Sequence, residues 1–269
     1  LGILGKNMDI DLSSSIFLVT VGVNSSHGAI RSPIFRDGTF ELMPKPEERS
    51  LWAPTLPAYP KMASFNNSGE PLSNYVSSRY RNVRVMDDPE FQSFTYGAYV
   101  ENSQYQRKLM RCKPGDYIVF LSLLTHYDEK FIPHHRGYYI VGFMYVEKTL
   151  FFPNKFPDRE DFANFGKNAY IRRAVYHPKT LEGVCLWKGD PAMSIRLKHA
   201  VLFKIESILK QKKQHYDQGT KFPRDDVSKI GGYLRYVQVP FDKGDDPEVF
   251  EKKIEWWNEI KNGNPNLSL

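Results

Sequence analysis

Tyr117-Ile118-Val119-Phe120-Leu121 and Gly137-Tyr138-Tyr139-Ile140-Val141-Gly142-Phe143-Met144-Tyr145-Val146 are short apolar runs rich in β-branched and aromatic residues. Such runs read as strands rather than helices, and they decide the fold as sheet-based. The first is entered through Lys113-Pro114-Gly115-Asp116, a turn sequence. The two runs are expected to pair as antiparallel neighbours, with Thr125 to Arg136 as an exposed loop between them. Upstream, Ile16-Phe17-Leu18-Val19-Thr20-Val21-Gly22-Val23 is nearly continuous in apolar character, as in a strand buried on both faces. It runs into the polar loop Asn24-Ser25-Ser26-His27-Gly28.

Other elements follow from local chemistry. Asp37-Gly38 between apolar segments predicts a hairpin turn, and Pro33 is expected to keep regular pairing from starting before Ile34. The six prolines from Pro44 to Pro71 deny that stretch any regular core element. A connection of this length is either mobile or shaped to cover a site. Helices are predicted at 102–110, from Asp158 towards Arg173 (weakened by Gly166), and at 247–261, where Phe250, Ile254 and Trp257 share a stripe. Further strands are expected around Val184 to Trp187, Ala200 to Ile205 and Val237 to Val239. Strands without regular helical crossovers exclude a doubly wound fold. The predicted fold class is α+β: a mixed or antiparallel sheet with peripheral helices and long loops, as a single body over residues 1–269.

The chain has 269 residues, 41% hydrophobic, with 16 Tyr and 18 Phe, enough for a core and too apolar for disorder. Its formal charge of +6 favours anionic partners. Cys112 and Cys185 are too few for a four-sulfur metal site or a secreted disulfide framework. No stretch reaches 18 apolar residues, and the first 20 lack a signal-peptide pattern, so a cytoplasmic protein with free thiols is expected. The lack of an initiating Met suggests missing upstream residues.

Several segments in order carry a family resemblance. They are Ser32-Pro33-Ile34-Phe35 with Asp37-Gly38-Thr39-Phe40-Glu41, then Pro44 and Pro46-Glu47. Asp88-Pro89-Glu90-Phe91 with Thr95-Tyr96-Gly97 follows, then Lys113-Pro114-Gly115-Asp116 leading to Phe120, and Gly137 to Gly142. Together, over roughly residues 16–145, they resemble a nucleotide-modification-associated domain family, itself similar to the PUA, ASCH and EVE group of small sheet-based modules. The resemblance implies a PUA-like barrel core within 16–205 and work connected with modified bases, in which some related modules flip a base into an aromatic-lined pocket. It carries over no catalytic residue.

The residues admit three functional readings. The first is recognition of nucleic acid or a nucleotide: Ser25, His27, Tyr96, Tyr99, Tyr138 and His135 as ligand-binding residues, and Arg79, Arg81 and Arg84 on phosphates. Arg172 and Arg173 would extend that surface, and Trp187 is a further stacking candidate. The second is a nucleotide-modifying or nucleic-acid-processing enzyme using His27, Asp37 or Asp116, although turn chemistry alone accounts for both aspartates. The third is a protein-interaction module in a defence or processing assembly. No phosphate-binding loop, dinucleotide fingerprint or His-Glu-x-x-His pair is present, and neither a cofactor nor a metal is expected. A shared metal site of His126, His134 and His135 is conceivable, but exposed loop positions are the more ordinary reading than a metal site.

Overall fold

The computed structural model describes residues 14–24, 27, 30–47, 53–66, 69–100, 109–152, 156–203 and 236–240. The predicted helices at 102–110 and 247–261 lie almost wholly outside these residues, and so does Ser25.

The molecule is organised by one long hairpin. Strand β6 (Tyr117–Asp128) turns at Glu129, which adopts φ 57°, and returns as β7 (Lys130–Phe152). The two pair antiparallel from Tyr117↔Tyr145 to Asp128↔Lys130, with irregularities at Phe120/Leu121 and Thr125/Tyr127. The expected loop at Thr125 to Arg136 is therefore strand. Cross-strand pairs such as Thr125↔Arg136 and Tyr127↔Phe131 extend the ladder beyond the apolar runs that announced it.

Strand β1 (Ser15–Thr20) pairs parallel with β6 on one side and antiparallel with β10 (Tyr236–Pro240) on the other. This sandwiched position explains its continuous apolar sequence; Ile16 to Val19 are all buried. Strand β2 (Ser32–Ile34) pairs parallel with Leu124–His126. Pairing with β6 thus begins at Ser32, before Ile34, and on its other side the Pro33 carbonyl accepts from Glu41 N at 3.0 Å. Strands β3 (Lys45–Pro46) and β4 (Val85–Met86) form a separate two-residue ladder.

The far half of β7 pairs with β8 (Val184–Gly189), which pairs with β5 (Thr95–Tyr99); the near half pairs with β9 (Ile195–Leu202). The sheet is therefore mixed, in the order β10-β1-β6-β7-β8-β5. Among the described residues β10 and β5 stand at its two ends without pairing, so the sheet does not close into the expected barrel. Helices α1 (Arg159–Phe165) and α2 (Ala169–Ala174) replace the single predicted helix. Asp158 starts α1 through a reciprocal capping box with Asp161, and Asn168 caps α2 through Tyr170 N.

The proline-rich segment has short 3-10 turns and its own small core, in which Val23, Ile30, Met43, Tyr59, Leu72, Val76 and Val85 meet. Gly142 of β7 is a point of close approach. A Cβ there would stand 2.7 Å from the Ile195 carbonyl oxygen and 2.8 Å from the Phe91 ring. No helix among the described residues is long and apolar enough to cross a membrane.

Candidate functional site

Between the proline-rich segment and the sheet lies a cleft of about 950 Å³. One wall comes from Pro57 and Lys61 to Phe65. The opposite wall comes from Asp87 to Gln92, Phe94, Lys167, Arg172, Ile195 and Arg196. The proline-rich stretch, expected to be either mobile or shaped to cover a site, contributes Pro44, Pro57 and Lys61 to Phe65 to this lining.

Glu41 fastens the two walls. It is 1% exposed and follows the Asp37-Gly38 turn. Its carboxylate accepts from Phe65 N (3.1 Å), Asn66 N (3.0 Å), Ser64 Oγ and Arg196 Nη2 (3.4 Å). The Arg196 guanidinium lies 4.0 Å from the Phe65 ring centre, 5.5 Å from Phe40 and 6.0 Å from Phe91. Burial lowers its pKa to about 10 against the pull of Glu41, and its Nε is buried without a partner. The Phe65 ring covers this charged plane, a cation–π arrangement, so the pair meets the cleft mainly through Phe65. Phe65 is itself 48% exposed at the rim.

Deeper along the wall are two adjacent carboxyls. Asp87 pairs with Arg172, yet burial pushes it up to about 6. Asp88 accepts from Gly97 N at 3.1 Å on both oxygens and from Asn168 Nδ2 at 3.0 Å. Burial outweighs these donors and raises it to about 8. Glu90 faces inward, accepting from Gln92 N (2.5 Å), Ser93 N (2.9 Å) and Ser93 Oγ. This turn holds Phe94 at φ 49°, an uncommon conformation for a bulky side chain, beside the cleft.

A second, smaller pocket of about 180 Å³ brings together Thr20, Asn24, Lys45, Tyr99, Tyr138 and Tyr170. Two predicted ligand residues, Tyr99 and Tyr138, therefore meet there. His27 stands beside it, its Nδ1 accepting from Asn24 N at 3.0 Å. Tyr99 donates to the Thr180 carbonyl at 2.8 Å and accepts from Arg173, which also pairs with Glu47 at 2.9 Å.

The remaining predicted residues are dispersed. Tyr96 is 4% exposed and stacks on the buried Trp187, with ring centres 5.9 Å apart. His135 meets His126 edge to face on the β6–β7 hairpin. Arg79 lies over Tyr80 at the surface, Arg81 is exposed, and Arg84 braces the Leu56 carbonyl at 2.9 Å. Asp37 and Asp116, two of the candidate enzymatic residues, do not meet. Asp116 precedes β6, while Asp37 lies beyond the β2 residue Ile34, which pairs with His126, so most of a strand, roughly 30 Å, separates them. Each serves its own turn: Asp37 accepts from Thr39 N and Oγ1, which lowers its pKa, and Asp116 from Lys113 N. Cys112 and Cys185 are free and buried; burial raises both thiols, Cys185 to about 12. No cluster of three metal-binding side chains occurs among the described residues.

Comparison of the sequence with known families gives a match to nucleotide modification associated domain 3 over residues 15–220. The chain belongs to this family. No curated protein matches it, and no solved structure does. The matched span of the nucleotide modification associated domain includes both pockets and every residue that lines them. Sequence reasoning missed Arg196, Glu41, Asp87 and Lys167 as site residues. Glu41 and the Asp88-Pro89-Glu90-Phe91 motif had nevertheless been singled out by the family resemblance.

Proposed function

We propose that the chain recognises a nucleotide unit in the large cleft, with its base laid against Phe65 and Arg196. The observation that carries this reading is the Arg196 guanidinium, held 4.0 Å from a half-exposed Phe65 ring inside the cleft. The family's link to nucleotide modification supports it, and so does the size of the cleft, at the upper end of ligand sites. Lys61 and Lys167, both exposed on the lining, supply charge for phosphate. Tyr99 and Tyr138, with His27 and Asn24 beside them, form a candidate subsite in the smaller pocket.

The test is calorimetric titration of the four common nucleotides and their base-modified analogues into the wild type and Phe65→Ala. Base stacking is worth about 1–3 kcal/mol, so Phe65→Ala should weaken binding by roughly tenfold. Equal binding by both proteins removes the base from this wall, and no binding of any nucleotide ends the proposal.

A second reading is favoured by Asp87 and Asp88. Two carboxyls with pKa values near 6 and 8 on one cleft wall suit proton transfer at neutral pH. In that case a nucleotide-modifying activity would show a pH profile that changes in Asp87→Asn and Asp88→Asn. Profiles that superimpose on the wild type would leave binding as the only role.

A further inference from the structure

The tip of the β6–β7 hairpin carries a second set of rings outside both pockets. Phe35, Tyr75 and Tyr127 are mutually edge-on, with centres 5.5–5.9 Å apart. Tyr127 continues to Phe131 at 5.0 Å, and the Arg31 guanidinium lies 5.9 Å from the Phe131 ring centre. The four rings are partly exposed. They come from three places in the chain, so the cluster is assembled by the fold: the hairpin supplies Tyr127 and Phe131, β2 sets Phe35 against β6, and the 3-10 turn at Leu72–Tyr75 supplies Tyr75.

Charge indicates what these rings face. Arg31, Lys130 and Arg136 are exposed in this part of the molecule, as is the acidic Glu129 at the turn, and none of the three cations makes an ion pair with another described residue. Arg36 and Asp128 neutralise each other at 2.6 Å. The cluster also adjoins the large cleft. Tyr75 stands in the same 3-10 turn as Leu72, which lines the cleft. Rings for stacking with cations beside them are what a single nucleic-acid strand requires, because every base offers a π face and every linkage a charge.

We propose that this hairpin tip is a platform for single-stranded nucleic acid, holding nucleotides that flank the one in the cleft. This rests on the cleft reading and sharpens it: the substrate is a polynucleotide rather than a free nucleotide. The arginine–phenylalanine pair at Arg31 and Phe131 holds the first flanking base, and Lys130 and Arg136 hold the backbone.

The experiment compares a fluorescein-labelled 12-nucleotide single strand, followed by anisotropy at several salt concentrations, with the corresponding mononucleotide followed by calorimetry. The oligonucleotide should bind at least tenfold more tightly than the mononucleotide. Phe131→Ala and Phe131→Leu should each weaken it by roughly five- to tenfold while leaving mononucleotide affinity unchanged. Arg136→Ala should also lower the slope of affinity against salt. Full affinity in Phe131→Leu would show that the ring only packs, and would overturn the platform. Mononucleotide binding with no gain from the longer strand would overturn the platform and leave the cleft reading intact. Oligonucleotide binding without mononucleotide binding would remove the cleft reading and overturn the proposed flanking role, leaving the tip as a strand-binding surface of its own. Binding of neither would end both.

Discussion

Trp187 and Arg196 are both large planar side chains set among rings, yet their surroundings impose different requirements. Trp187 is fully buried, stacked on Tyr96, and satisfies its one polar group through Nε1 to the Cys112 carbonyl at 3.2 Å. Its position depends on shape. Arg196 is surrounded by Phe40, Phe65 and Phe91 but brings a charge, which only Glu41 answers among the described residues. Its position depends on one carboxylate, 155 residues away in sequence. The first arrangement makes a core. The second makes a surface that is rigid before any ligand arrives.

Substitutions break this contrast in graded steps. Trp187→Ala should have the largest effect, about 3–5 kcal/mol, from lost burial and the cavity left behind. Urea unfolding measures it, and a loss below about 1 kcal/mol would mean that the site collapses without penalty. Glu41→Gln should cost about 3 kcal/mol by leaving Arg196 a buried charge without its partner. Here the sharper measurement is the double variant Glu41→Gln/Arg196→Met. It should recover much of that loss, whereas simple additivity would show that the pair is not coupled.

The pH dependence comes next. The folded-state pKa values of Asp87 and Asp88 lie near 6 and 8, above the ordinary 3.8, so the folded protein binds more protons than the unfolded one. Their contribution to stability is therefore complete below about pH 4 and is lost as pH rises through these two values. Thermal melting from pH 5 to pH 9 should show a decline that is shallower in Asp88→Asn. Identical slopes would place the proton elsewhere. The smallest effect belongs to Arg36→Ala, which removes an ion pair whose members are 85% and 45% exposed. It should change stability by less than about 1 kcal/mol, and a larger change in urea unfolding would give the hairpin tip a structural role.

The central strands were legible because burial on both faces writes itself into a continuous run. Residues 16–19, 117–121 and 138–146 carry that signature, and all became strands of one sheet. Their order was less visible: β1 joins β6 in parallel across a gap of about a hundred residues, and no local pattern encodes that pairing. The hairpin extension at 125–136 was also hidden, since its polar and aromatic residues resemble a loop when read alone. The candidate site was legible only in fragments. Tyr99 and Tyr138 were picked as aromatics beside strands and share a pocket. Tyr96 carries the same local signal, but its direction along β5 sends it to the core beside Trp187. Arg196 had no signal at all, because a lone arginine in a strand gains its meaning from Glu41 and three distant phenylalanines.

Gly142 turns this arrangement into a gauge. The hydrogen it carries in place of a methyl group lets the Ile195 carbonyl and the Phe91 ring settle against β7, and both of those residues line the large cleft. The aperture is thus set from behind, by an atom outside the lining. Any larger residue at 142 would displace the Phe91 ring and the Ile195 backbone, while every lining residue kept its identity. Cleft width can therefore change at a position that inspection of the lining alone would pass over.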